Sequence, residues 1–342
     1  MKIAQIAPLI ERVPPKKYGG TERMVYALTE KLVKRGHDVT LFASGDSISS
    51  AKLVSVYPRS LREARIKDLY GLNDLMLFNI GLAYSRQKEF DIIHDHNAQI
   101  SLPTANLCTV PVVFTLHGPI SLTQRKMLEE LGNPHLVAVS HAQKDQAPRL
   151  NFAGVVYNGL DMEQYPFSAE HDGYLLSVGR ISAEKGTHLA IQAAQYLNLP
   201  LVIAAKLDAM DMPYFQQYIA PLLSEDIRWV GEVDEQERNR LMSKARCLLH
   251  PVTWREPFGL VMIEAMACGC PVIGFRRGSI PEIVKDGKTG FVVGDLEEML
   301  EAILKIDTID RQECRKYAIE HFHTDRMADG YEKIYRTILE RN

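Results

Sequence analysis

The 342-residue chain is poor in cysteine, in tryptophan and in long apolar runs. Its 5 cysteines are odd in number and scattered, which excludes a disulfide framework. Cys268 and Cys270 flank Gly269, but no second pair stands at zinc spacing, so both read as small buried hydrophobes. No window of 18 residues is uninterruptedly apolar, and no helix is expected to span a bilayer. Residues 1–8 carry one lysine and too short an apolar run for a signal peptide. They read as a first strand, and the cytoplasm is the expected compartment. No G-x-G-x-x-G follows a first strand, which weighs against a nicotinamide dehydrogenase. Gly287-Lys288-Thr289 resembles the end of a P-loop, but Glu282 stands where its first glycine is required.

Charge of one sign is also scarce. The net charge of −3 gives no global field for nucleic acid, and no nucleic-acid partner is expected. The distribution is uneven: residues 1–160 sum to +5 and residues 161–342 to −8. A mildly basic first half would suit an anionic acceptor or a lipid surface, though chance imbalance is the preferred reading.

What is present is ordinary globular composition, 46% hydrophobic and 24% charged. At roughly 100–200 residues per domain, the length suggests two domains. Strand-like runs at 2–8, 38–43, 90–94, 112–116 and 135–140 alternate with helical periodicity at 21–35 and 60–89. A second alternating set follows residue 158. Its strands are 174–178, 201–205, 227–230, 247–250, 271–275 and 290–293, and its helices 187–197, 235–245 and 260–268. Such alternation predicts α/β domains with parallel sheets covered on both faces. Ligands of such sheets bind at the carboxyl ends of the strands, so two facing sheets predict a cleft between domains. Arg62, Arg65 and Lys67 would share one face of the 60–89 helix, either as a basic membrane-facing surface or as a solvated face.

Four segments are candidates for chemistry. Gly19 and Gly20 follow the first strand and open the first helix, a place where backbone can approach a phosphate and where a plain tight turn would also need glycine. Arg180 and Lys185 lie on the loop after the first strand of the second set, one offering a planar fork and the other a point charge for a diphosphate. Glu256 and Glu264 stand eight residues apart, the first in a loop and the second about two turns into a helix. Between them Phe258, Gly259, Leu260 and Val261 would present backbone N–H groups at a helix N-terminus. His94 and His96 flank Asp95 at a strand end and point the same way, as two ligands of one ion would. No third ligand is apparent, and acceptor binding or structural hydrogen bonding is the preferred role.

The Glu256 to Pro271 segment resembles the E-x7-E motif of glycosyltransferase family 4, the retaining group 1 glycosyltransferases with the GT-B fold. The resemblance extends to the Gly19-Gly20 loop, Asp91 to His96, Thr115 to Gly118, Val137 to Ser140, Val156 to Asp161, the Gly179 to Gly186 loop and Gly231 to Val233. It implies two Rossmann-like domains, 1–160 for the acceptor and 161–325 for the nucleotide sugar, with a helix at 326–342 crossing back to the first as part of a hinge. It implies that Gly19 and Gly20 lie by the donor phosphates. Arg180 and Lys185 would neutralise the diphosphate leaving group. Glu264 would hold the ribose, and Glu256, with Phe258, Gly259 and Leu260, the donor sugar. Val261 would sit near the phosphates and His117 would bind the sugar near the reacting carbon.

The reaction so implied is hexosyl transfer from a UDP- or GDP-sugar to an acceptor hydroxyl, with retention by front-face departure and attack. The acceptor would be a glycan, a lipid-linked sugar or a small molecule. No cofactor or metal is expected, and no D-x-D pair is present to hold a divalent ion. Peripheral contact with the inner membrane face would fall to the N-terminal domain. The sequence departs from the pattern at Ala204-Ala205-Lys206-Leu207-Asp208, where relatives place a glycine-rich turn. Lys206 could there meet a phosphate or the base. A GT-B-like epimerase or phosphorylase, or a catalytically degenerate sugar-nucleotide-binding protein, would carry a similar set of residues.

Overall fold

Strands that are apolar on both faces need cover on both sides, and that requirement organises the chain. The computed structural model describes residues 1–66, 68–97, 100–132 and 134–341. The chain divides into two compact units, Met1–Leu160 with Thr324–Asn342, and Asp161–His323.

The first unit holds a parallel sheet of β1 (Lys2–Ile6), β2 (Asp38–Phe42), β3 (Lys52–Val54), β4 (Ile92–Asp95), β5 (Val112–Leu116), β6 (His135–Ala138) and β7 (Phe152–Val155). Their spatial order is β3-β2-β1-β4-β5-β6-β7. β4 and β5 are buried along their whole length, which leaves His94 and Asp95 as polar side chains inside the core. The outer strands β3 and β7 escape the sequence reading because they are short, partly exposed edges.

Helix α1 (Gly20–Lys34) buries Met24, Val25, Leu28 and Leu32, the periodic positions of the 21–35 segment. The 60–89 segment is not one helix. Asp68 caps a later start by accepting from the N–H groups of Tyr70 and Gly71, and α2 spans Leu69–Ser85. Residues 61–65 are turn, with Arg65 in the left-handed region at φ 54°. Arg62 is paired with Glu11 at 2.6 Å, so Arg62 and Arg65 form no common helical face. Lys67 lies outside the described residues. α2 leaves Leu69, Tyr70, Leu77 and Phe78 exposed. No helix among the described residues is long and apolar enough to cross a membrane.

The second unit holds β8 (Leu175–Arg180), β9 (Leu201–Lys206), β10 (Ile227–Gly231), β11 (Cys247–His250), β12 (Val272–Phe275) and β13 (Gly290–Val293), all parallel, in the order β10-β9-β8-β11-β12-β13. β8 is buried at its start and opens to solvent over Val178, Gly179 and Arg180. Its last residue, Arg180, stands in register beside Lys206, the last of β9.

The helix Thr324–Leu339 belongs to the first unit. Met327, Tyr331, Ile334 and Ile338 form a buried stripe, and Tyr335 joins them with no exposure. Arg35, just past α1, bonds Asp325 and Asp329 of this helix at 2.9 and 2.7 Å. Ion pairs at such partly exposed sites contribute about 0.2–1 kcal/mol each, against about 1.5–3 kcal/mol for each large side chain fully buried. The apolar stripe therefore anchors the helix. Tyr335→Ala should lower the stability of the first unit by about 3–5 kcal/mol and Asp329→Ala by less than about 1 kcal/mol, read from urea denaturation. Equal losses would make the ion pairs the anchor.

Candidate active site

The second unit gathers charge at its strand ends. Arg180 gives its guanidinium to Glu184, and its Nε stands 3.5 Å from Asp211 Oδ2. Lys206 beside it pairs with Asp208 at 2.6 Å. Lys185, one residue after Glu184 in the turn Ala183–Lys185, reaches in another direction: its Nζ lies 2.6 Å from Glu256 Oε2 and 4.7 Å from the centre of the Trp254 ring. The structure thus brings Lys185 and Glu256 together and gives Arg180 different partners.

Glu256 is almost fully buried. Its Oε2 also accepts from the indole N–H of Trp254 at 2.9 Å and stands 3.5 Å from His250 Nε2 at the end of β11. Burial pushes the carboxyl upward. The Lys185 ammonium and the hydrogen bond from His250 outweigh it and hold the pKa at about 2. His250 is itself lowered by burial against the upward pull of Glu256. The backbone fixes the group as firmly. Ser279 N–H donates to the Glu256 carbonyl at 2.9 Å, and Gly278, left-handed at φ 56°, packs so closely on the Glu256 backbone that no side chain fits there.

Past Glu256 the chain passes Phe258, buried, and Gly259, which precedes the helix Leu260–Ala267. The first two N–H groups of that helix, those of Leu260 and Val261, have no carbonyl of a preceding turn to bond, whereas Met262 N–H already donates to the Gly259 carbonyl at 3.0 Å. Glu264 lies on the same helix and is buried. Its Oε1 accepts from Arg238 Nη2 at 2.9 Å and lies 3.5 Å from the Tyr165 hydroxyl. The two carboxylates of the motif therefore have separate cationic partners.

In the first unit β4 and β5 set three histidines in a row. His94 places Nδ1 2.6 Å from the Tyr335 hydroxyl and Nε2 2.7 Å from Thr115 Oγ1, which is 2.8 Å from the Tyr331 hydroxyl. His96 places Nε2 2.7 Å from Gln5 Oε1 and Nδ1 2.9 Å from His117 Nε2. All four nitrogens of His94 and His96 thus have protein partners. Burial lowers all three histidines, His117 to about 4, so each is neutral at pH 7. Asp95 accepts from the Tyr84 hydroxyl and from Asn97, and burial raises its carboxyl against those bonds. A pocket of about 190 Å³ opens beside His117 and His96, lined also by Thr21, Asn97, Gly118 and Gln124.

Gly19 is buried at φ 156°, and a side chain there would meet Pro15 at 2.7 Å, so close packing within its own loop requires the glycine. Gly20, exposed, begins α1. Sequence reasoning missed Trp254, His250, Arg238, Gln5, Thr115, Tyr331 and Tyr335. Only Trp254, one of 2 tryptophans and two residues from Glu256, left a visible signal.

Residues 18–164 match the family model described as Glycosyltransferase Family 4, and residues 162–321 the model described as Glycosyl transferases group 1. The N-acetyl-alpha-D-glucosaminyl L-malate synthase of Bacillus anthracis is 27% identical over 94% of each chain. The phosphatidyl-myo-inositol mannosyltransferase of Mycobacterium tuberculosis is 25% identical over 99% of this chain and 97% of its own. Among solved structures, HepE of Anabaena in complex with UDP and glucose has a TM-score of 0.77 at 22% identity, covering 98% of this chain and 100% of that one. Sucrose-phosphate synthase from Thermosynechococcus elongatus has a TM-score of 0.81 at 18% identity over 100% of both. The fold is GT-B.

The depressed carboxyl of Glu256 links stability to pH. Its folded pKa of about 2 lies below the ordinary 4.5, so its contribution is complete above about pH 4.5 and lost as pH falls toward 2. Lys185→Met should cost about 3 kcal/mol at pH 7 in urea denaturation, because it strands a buried charge. The deficit should shrink at pH 3, where the wild type is losing the same contribution. A deficit independent of pH would show that Lys185 acts by packing alone.

Proposed function

The chain belongs to the group 1 glycosyltransferases of family 4, and on that footing we propose that it moves a hexosyl group from a nucleoside-diphosphate sugar to an acceptor hydroxyl, with retention and without a metal ion. The observation that carries this reading is the strand-end cluster of Arg180, Lys185 and Lys206 beside the buried, ionised Glu256. Breaking the bond between the anomeric carbon and the diphosphate builds negative charge on the leaving oxygen. Preorganised cations and helix N–H groups aimed there stabilise it without reorganisation. Lys185 has three N–H donors and spends one on Glu256, leaving others for phosphate. Exchange of the Glu184 contact for phosphate would bring Arg180 to the same task.

Glu256 would accept hydroxyls of the donor sugar, as an ionised carboxylate with Lys185 at its flank. Glu264, with Arg238 and Tyr165 beside it, would take the ribose diol. The helix start at Leu260 and Val261, preceded by Phe258 and Gly259, would face the phosphates. His117 would bind the sugar, Gly19 and Gly20 would approach the donor phosphates, and the first unit would hold the acceptor, a glycan, a lipid-linked sugar or a small molecule. The cations do here what a divalent ion does in other transferases, which is why none is invoked. UDP is the preferred nucleotide, by analogy with the Anabaena protein solved with UDP and glucose.

The test is thermal unfolding with UDP, GDP and their sugars in EDTA, followed by turnover. One nucleotide at 100 times its Kd should stabilise the chain by about 2.7 kcal/mol. Arg180→Ala should abolish that shift, and Glu256→Gln should lower kcat at least about 100-fold. Full turnover by both variants, or a strict requirement for magnesium, would overturn the reading.

A further inference from the structure

The hydrogen-bond chain that reaches His117 does more than place its ring. Gln5, on β1, presents Oε1 to His96 Nε2 at 2.7 Å and Nε2 to His94 Nδ1 at 3.5 Å. An amide oxygen has no proton to give, so the proton of the Gln5–His96 bond sits on His96 Nε2. His96 is buried and neutral, and a neutral imidazole carries one proton only. Its Nδ1 must therefore accept. The donor is His117 Nε2, 2.9 Å away. His117 is also neutral, so its Nδ1 is left as a bare lone pair on a ring that lines the pocket.

The amide of Gln5 is oriented in turn by His94. The Tyr335 hydroxyl stands 2.6 Å from His94 Nδ1, and His94 Nε2 stands 2.7 Å from Thr115 Oγ1. With Nδ1 accepting, Nε2 donates to Thr115. The direction of every bond from Tyr335 to His117 then follows. No lysine or arginine is among the described residues lining the pocket, so it suits a neutral hydroxylated group better than an anion.

We propose that Gln5 and His96 are positioning residues that lock His117 in its Nε2–H tautomer, so that Nδ1 accepts a hydrogen bond from one hydroxyl of the sugar held in this pocket. A hydroxyl can donate or accept, and an unlocked imidazole would meet it either way. The lock admits only a donating hydroxyl. The sugar half of the statement rests on the transferase reading above; the tautomer half stands without it.

The tautomer is read directly from the two ring-nitrogen shifts of His117 in 15N-histidine-labelled protein, with the signal identified by its loss in His117→Asn. The wild type should carry its proton on Nε2. Gln5→Leu should give a mixture of tautomers. In turnover of UDP-glucose, Gln5→Leu should raise KM about tenfold and change kcat less than about threefold, the size expected for one hydrogen bond. Among singly deoxyfluorinated UDP-glucose analogues, one should lose about tenfold in KM on the wild type and under about twofold on Gln5→Leu, since fluorine cannot donate. A proton on His117 Nδ1 in the wild type, or a Gln5→Leu spectrum identical to it, overturns the proposal. The assigned tautomer without turnover of any nucleotide sugar overturns the transferase reading and leaves the relay standing.

Discussion

A carboxylate taken out of water has to be matched on the spot, and the second unit is arranged around one such match, Glu256 with Lys185. Isolated, the buried charge would cost several kcal/mol and would neutralise itself by taking up a proton. Lys185 comes from the turn after β8 and Trp254 from the loop after β11, so the contact stitches two strand ends together. His250 closes the third side and Gly278 presses on the backbone from behind. The same enclosure that makes the pair costly if broken also keeps it rigid, and a rigid charge pair in a dry setting acts on a ligand more strongly than the same pair in water.

The first unit meets the burial of polar groups by a different means. Its centre holds a run of neutral donors and acceptors, from Gln5 through three histidines to Thr115 and two tyrosines. Burial strips the histidines of charge, and hydrogen bonds then replace the water they gave up. The electrostatic character of the two units differs accordingly. One presents cations restrained by carboxylates, suited to a polyanion. The other presents uncharged polar edges, suited to hydroxyl groups.

Much of this was visible in the residues. The inner strands β4, β5, β8 and β11 are apolar runs that only a sheet covered on both faces can accommodate, and α1 shows its period plainly. Glu256 and Glu264 stood out by spacing, and Arg180 and Lys185 by their place after a strand. The edge strands β3 and β7 were not legible, because half-buried strands of 3 and 4 residues carry no periodic signal. The break before α2 turned on Asp68, whose side chain caps a helix that starts only at Leu69. Partnerships were the least legible. Lys185 and Glu256 are 71 residues apart, His94 and Tyr335 are 241 apart, and no local pattern says which distant side chain will satisfy which buried group.

The helix Thr324–Leu339 carries one more implication. Tyr331 and Tyr335 are among the largest fully buried side chains, and their hydroxyls complete the histidine network of a unit whose other residues end at Leu160. On a ribosome, the sheet of that unit emerges long before these two tyrosines are made. His94 must wait without Tyr335, and Thr115 without Tyr331, while the whole of residues 161–323 is synthesised. The first unit to emerge is thus the last to be finished, and during elongation it is the part of the nascent chain that most needs shielding.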